Sequence, residues 1–220
     1  LGVAVLIVVM SVMNGFRTEL VNKIIGFNAH MTVKPYENKI AKEKLNNQNL
    51  KSISESLIFS NSGEGIMIKK DITKGILLRG YFAKDFSKLD IVNNGNFLGS
   101  ENKLSNDTIS ISKELSFSLN LEIGDEITLM SSSGVQTIIG NLPKQKKFTV
   151  VSLFDSGVID FDNNVAFINL VTLEEFFNLK PKKRNLEIYL KNPKNIEYQK
   201  TIVQKIFNNE FIYSWSDMNK

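Results

Sequence analysis

The sequence contains no cysteine and a single histidine, His30. Without thiols there is neither a disulfide scaffold nor a thiolate metal site. One imidazole leaves almost no material for a zinc centre or a serine–histidine triad, so no metal and no catalytic residue is expected. A large charge of one sign is missing too: 27 Lys and Arg face 23 Asp and Glu, for a net charge of +4. Only Arg17, Arg79 and Arg184 are arginines, and acids and bases are mixed along most of the chain. Nucleic-acid binders gather Arg and Lys among aromatics on one face, so nucleic acid is not an expected partner. The abundance of Lys, Asn and Ile fits an A+T-rich genome better than an electrostatic function. No G-x-x-x-x-G-K-[ST] loop occurs; GEGIMIKK and GNLPKQKK lack its spacing, so this chain is not expected to hydrolyse ATP or to carry a cofactor. What is present is 220 residues, 42% of them hydrophobic. That excludes a fully disordered chain and allows one large domain or two small ones.

The opening LGVAVLIVVMSVM carries no charge. Thirteen helical residues rise about 20 Å, against the ~30 Å of a bilayer core. The stretch is therefore a short buried helix or the outer part of a spanning helix. A signal peptide fits poorly, because no basic n-region and no A-x-A site is present. Phe16, Leu20, Ile24 and Phe27 then recur at helical spacing with Arg17, Glu19 and Lys23 between them. A helix that turns from apolar all round to amphipathic near Asn14-Gly15 is expected to leave a membrane and continue as a stalk. Val12, Met13, Phe16, Leu20 and Ile24 are its expected lipid- or partner-facing residues. A soluble core helix is the competing reading.

Beyond Gly26 the pattern predicts an α+β chain. His30–Pro35 alternates as a strand, and a polar, helix-prone segment runs to about Asn47. Ser56–Lys70 reads as a broken strand or hairpin around Gly63 and Gly65. Gly75–Tyr81 is a strand. Ile111, Leu115 and Leu119 share one helix face. EITLM and FTVVSLF are strands joined by Ser131–Lys147, a long polar connection with an apolar island at Ile138-Ile139. Val165–Leu170 is a strand, and Thr172 with Glu175 reads as a capping box. Leu186–Leu190 is a strand, Asn192-Pro193 caps a helix, and Phe211–Trp215 is the last strand. A β-α-β start and a β-α-β end suggest that the two ends pair and the middle is inserted. Asp155, Asp160 and Asp162 in DSGVIDFDNN lack the order of a calcium loop and read as turn residues.

Several stretches together resemble a known family. VMSVMNGF followed by IIGFNAHMTV is similar to the first transmembrane helix and stalk of lipoprotein-releasing ABC transporter membrane subunits of the LolC/LolE type. GILLRGY, ISKELSFSLNLEIGDEITLMS, FTVVSLFDSGVIDFDNNVAFINL and the terminal SWSDMNK match later motifs shared across the MacB/FtsX-like permease superfamily. Ser116 stands where a small residue is usual.

The resemblance implies a MacB-like periplasmic domain. A porter-like β-α-β subdomain (28–75 and 180–215) would carry an inserted β-rich sabre-like subdomain (76–179). Residues 1–27 would be the end of the first transmembrane helix with its stalk, and 216–220 the start of the second stalk. It implies an inner-membrane subunit with this domain on the periplasmic side. It also implies a second copy or homologous membrane subunit, a separate cytoplasmic ABC ATPase, an acylated lipoprotein substrate and a LolA-like periplasmic carrier. A hook loop at 131–147 would recruit that carrier through Ile138, Ile139, Leu142 and Pro143, with Gln145 and Lys146 just after it. A MacB-like efflux or mechanotransmission permease is the alternative within the superfamily. A membrane-anchored enzyme or sensor is the alternative from another class; it lacks a nucleophile–base pair.

Overall fold

The computed structural model describes residues 3, 5–13, 15, 28–93, 95–100, 103–137, 140–215 and 217. Residues 5–13 are helical and expose their apolar side chains. No helix among the described residues is long and apolar enough to cross a membrane.

The folded body begins with β1 (Met31–Pro35), whose Met31 and Val33 alternate inward. Two short helices, α1 (Lys42–Leu45) and α2 (Gln48–Ile53), follow. Asn47 caps α2 by accepting from the backbone of Asn49 and Leu50. Instead of the broken strand expected around Gly63 and Gly65, β2 (Ser54–Lys69) runs unbroken for 16 residues. It continues into β3 (Ile72–Tyr81). Helices α3 (Ala83–Phe86) and α4 (Asp90–Asn93), the two-residue β4 (Leu98–Gly99) and β5 (Thr108–Ser112) come next. Ile111 lies on β5 rather than on the helix with Leu115 and Leu119. Ser112 ends the strand and caps α5 (Lys113–Leu119) through the Leu115 amide.

The long hairpin β6 (Glu126–Thr137) and β7 (Gly140–Phe154) is followed by α6 (Ile159–Asn164) and β8 (Val165–Asn169). Helix α7 (Leu170–Phe177) starts two residues before the expected capping box. Asn169 accepts from the Val171 amide and caps it, while Thr172 is buried and donates to the Asn106 carbonyl. β9 (Asn185–Leu190) leads to a 3-10 turn at Pro193–Asn195. Proline opens that turn, so α8 (Ile196–Ile206) starts later than an Asn192 cap would place it. β10 (Glu210–Ser214) closes the body.

β10, β1, β9 and the first half of β2 form an antiparallel sheet. Helices α2 and α8 cover it through Leu50, Val203 and Phe207, which pack on Met31, Val33, Leu186 and Ile188. β2 then changes partner: Ser60 pairs with Asn185 of β9, and Asn61 pairs with Gly80 of β3. From there β2, β3, β8, β5, β7 and β6 pair in turn, and β6 pairs back onto β2. The six strands make a closed ring, which removes sheet edges.

Met67, Leu78, Ile109, Leu129, Phe148 and Ile168 belong to the ring's core, which α5 and α7 complete. Gly63 and Gly80 let α7 approach. A Cβ at Gly63 would stand 2.6 Å from the Phe177 ring, and one at Gly80 3.0 Å from Leu173 Cβ. A third core lies between the two sheets, where Ile58 and Tyr189 meet Tyr81, Phe154, Phe167, Phe86 and Ala29.

Candidate functional site

Two places concentrate chemistry: the β6–β7 hairpin, and the strand junction beneath it. The hairpin ladder runs from Glu126↔Thr149 to Thr137↔Gly140, with an irregularity between Ser131 and Gly134. Ile138 and Ile139, between Thr137 and Gly140, lie outside the described residues. Leu142 pairs with Val135 on the returning strand and is 51% exposed, high for a leucine. Pro143 pairs with Gly134 and lines a 580 Å³ groove with Met130, Ser131, Ile66, Gly75 and Ile76. Gln145 pairs with Met130 and donates to its sulfur at 3.6 Å.

The lysines of the returning strand brace its foot. Lys144 Nζ donates to the Glu175 carbonyl at 2.8 Å and to Asn178 Oδ1 at 2.6 Å, which ties the strand to the end of α7. Lys146 Nζ meets Asp107 Oδ1 at 2.8 Å and the Asn106 carbonyl at 3.0 Å, and sits 5.5 Å from the Phe148 ring centre. Lys147 pairs with Glu126 at 3.1 Å. Lys146 and Lys147 are thus paired with carboxylates of the same chain, while Lys144 is held by two neutral acceptors. Gln145 and Lys146 line a 260 Å³ cleft with Lys144, Thr172, Glu175 and Phe176, between the foot and α7. Of the residues expected to carry recognition, the fold therefore brings Leu142, Pro143, Gln145 and Lys146 to one strand.

Val12 and Met13 are on the helical residues 5–13 and are 66% and 67% exposed. Phe16, Leu20 and Ile24 lie outside the described residues.

The junction was not legible in the sequence, since no local motif marks it. Glu187 on β9 is 4% exposed and is surrounded by donors from three strands. Ser60 Oγ donates at 2.6 Å, Arg79 Nη2 at 3.0 Å, and Tyr189 Oη at 3.1 Å. Tyr81 Oη lies 3.0 and 2.9 Å from the two carboxylate oxygens. Arg79 Nη1 donates to Asn28 Oδ1 at 3.0 Å, joining the N-terminal segment to the cluster. Burial by itself would lower the Arg79 pKa. The charge interactions with Tyr81, Glu187 and Tyr189 outweigh it and hold the guanidinium well above its ordinary range. Burial, aided by the Glu187 charge, pushes the Tyr81 and Tyr189 hydroxyls well up.

His30 accepts from the Leu190 amide through Nδ1 at 2.7 Å and packs edge-on against Tyr189, a structural role. Among the described residues no group of three or more His, Cys, Asp or Glu is placed to hold a metal ion. The chain also begins and ends its body at one place: the Trp215 amide donates to the His30 carbonyl at 3.1 Å.

Comparison with known proteins agrees with this architecture. A family model described as the MacB-like periplasmic core domain matches residues 1–205. The lipoprotein-releasing system transmembrane protein LolC of Neisseria meningitidis serogroup B is 26% identical over 210 residues, covering 89% of this chain and 48% of its own length. LolC of Xylella fastidiosa is 23% identical over 188 residues, covering 81% and 44%. The chain thus spans about half the length of the curated relatives it matches. The crystal structure of the periplasmic region of MacB from Actinobacillus actinomycetemcomitans superposes with a TM-score of 0.53 at 13% identity, covering 90% of this chain and 94% of that one.

Proposed function

Because the chain belongs to the MacB-like periplasmic core domain family, we propose that it is the periplasmic domain of an ABC transporter membrane subunit that releases lipoproteins. In this reading the subunit sits in the inner membrane beside a second copy or a homologous subunit. A separate cytoplasmic ATPase supplies the energy, and this chain performs no catalysis. The acylated lipoprotein passes to a soluble periplasmic carrier. Residues 1–27 end the first transmembrane helix and form a stalk with Val12, Met13, Phe16, Leu20 and Ile24 on its apolar faces, and 216–220 begin the second stalk. We assign the four-strand sheet to the porter-like part and the six-strand ring to the sabre-like part. The boundary we propose lies within β2 at Ser60/Asn61, upstream of residue 75.

The observation that carries the reading is the hairpin. It leaves a closed ring on a braced foot and holds Leu142 in solvent beside the stiff Pro143. An exposed apolar residue on a rigid arm is what a partner's hydrophobic cleft covers at low entropic cost. Ile138, Ile139, Leu142 and Pro143 form the tip of this hook, and Gln145 with Lys146 a second contact at its foot. The similarity to two proteins named LolC supports the lipoprotein-releasing branch over an efflux permease.

The test is capture of a LolA-like carrier by the purified chain. Replacing Ile138, Ile139 and Leu142 together with Ser should weaken capture several-fold or more, since a few apolar anchors dominate such interfaces. Undiminished capture by that triple variant rejects the hook. Capture of a periplasmic efflux adaptor in place of the carrier favours the MacB-like alternative.

A further inference from the structure

The cluster around Glu187 has a position that core packing does not require. It lies where β2 changes from the four-strand sheet to the ring, and its members come from both sides of that change. Glu187 and Tyr189 belong to β9, and Arg79 and Tyr81 to β3. Ser60 is the last β2 residue paired to β9. Asn28, on Arg79, is the last residue before Ala29 enters the middle core.

We propose that the Arg79–Glu187 pair with Ser60, Tyr81 and Tyr189 is a coupling pin, which fixes the four-strand sheet, the ring and the N-terminal segment at one mutual orientation. The mechanical role this gives it, moving the hairpin when Asn28 is displaced, rests on the transporter reading above.

Energetics favour an orienting role over a purely stabilising one. Removing two charges from water costs about as much as their attraction returns, and apolar residues of similar volume commonly replace such a pair at no loss of stability. Apolar contacts, however, are non-directional. The middle core of Phe86, Phe154, Phe167 and Ile58 can accept small rotations of one sheet against the other. A carboxylate held by four donors at 2.6 to 3.1 Å cannot, because rotation would leave a buried charge unpaired. Two covalent links join the sheet to the ring, the strand β2 and the segment 178–184 between α7 and β9, and two single-chain links resist twisting poorly. A continuation leads toward the hairpin. Arg184, just before β9, holds Glu174 of α7, and the end of α7 holds Lys144 of the hairpin foot.

The absence of native cysteine makes the test direct. Lys205→Cys on α8 and Glu122→Cys beside the ring take spin labels in the whole 220-residue chain, and pulsed dipolar spectroscopy reads their separation. The parent is expected to give one narrow distribution. The apolar pair Arg79→Met/Glu187→Leu takes the acceptor from the Ser60, Tyr81 and Tyr189 hydroxyls, so it should melt below the parent, stay folded, and widen the distribution about two-fold or more. A folded double variant with the parent's narrow distribution overturns the pin. Should that variant not fold, Tyr81→Phe/Tyr189→Phe retains the rings and removes two of the four donors. It should widen the distribution part way, and a width unchanged from the parent also overturns the pin. These distances do not depend on any carrier or cargo, so their failure leaves carrier capture standing, and the reverse.

Discussion

Arg184 grips Glu174 with both ends of its fork, Nε to Oε1 and Nη2 to Oε2, each at 2.7 Å. Glu174 is 4% exposed on α7, and Arg184 lies over the Phe82 ring at 5.1 Å. This contact anchors α7, which completes the core of the ring, to the segment leading into β9. A lysine cannot reproduce two parallel contacts. Arg184→Lys should therefore destabilise the chain by about 1–2 kcal/mol, and Arg184→Ala by about 3 kcal/mol because it strands a buried carboxylate. Urea unfolding of the three proteins measures both, and equal stability of parent and Lys variant would contradict it.

Gly63 gives a second test of how α7 seats. Its added Cβ would overlap the Phe177 ring, so Gly63→Ala should cost about 1–3 kcal/mol. Phe177→Leu makes room. In a double-mutant cycle the pair should be coupled by about 1 kcal/mol or more in the compensating direction. Strict additivity would show that β2 yields instead of the ring.

The N-terminal limit of the folded body is testable by truncation. Ala29 is buried, Asn28 holds Arg79, and His30 holds Leu190. A chain starting at Asn28 should keep the cooperative melt of the full sequence. One starting at Met31 should lose about 2 kcal/mol or more, since it gives up the buried Ala29 and His30 contacts and the partly buried one of Asn28. Indistinguishable melts would mean that the segment before β1 merely rests on the core.

Asp217 carries an acid-sensitive contact. Its carboxylate accepts from Lys200 Nζ at 2.7 Å and from the Ser214 amide at 2.8 Å, and these hold it well below the ordinary carboxylate range. A pKa depressed by folding contributes stability above the unfolded value of about 3.9, and loses it as pH falls toward the folded value. Asp217→Asn should thus be less stable than the parent at pH 6, with the gap closing progressively below about pH 4. A gap at pH 2 as large as that at pH 6 would assign the effect to geometry, not charge. The gap should also shrink in high salt, because the pair is partly exposed.

The braced foot gives a prediction on dynamics. Lys144→Ala removes the tie between β7 and the end of α7, an exposed contact of about 0.5–1 kcal/mol. Global stability should change little, while amide exchange along Lys144–Lys147 should accelerate several-fold by local opening. Unchanged exchange there would mean that the β6–β7 ladder alone holds the foot.

Much of this architecture was legible locally. Alternation marked β1; β9 and β10 also read as strands, and each inward residue of Met31-Thr32-Val33 sits where period two places it. The LolC-like opening and the later motifs led to the family that the chain belongs to. Local cues misled where one residue had two uses. Gly63 and Gly65 read as breaks in a strand, yet Gly63 is a gap that admits Phe177 and Gly65 lies close under the Met130 carbonyl of the neighbouring strand. Thr172 read as a helix cap, yet it is buried and Asn169 does the capping. A glycine or threonine records that something special happens at a position, not whether the cause is a turn or a neighbour from another element.

What the sequence determined by itself is most of the strands, the absence of metal-binding thiols and of a nucleotide loop, and the apolar island in the β6–β7 connection. All of these depend on residues within a few positions of one another. The tertiary structure decided that β6 closes onto β2 to make a ring, that the returning lysines brace the hairpin, and that Glu187 meets Arg79, 108 positions away. Such contacts are set by which strands become neighbours. Pairing is chosen by backbone hydrogen bonds and burial summed over whole strands, and no short stretch of residues carries that sum.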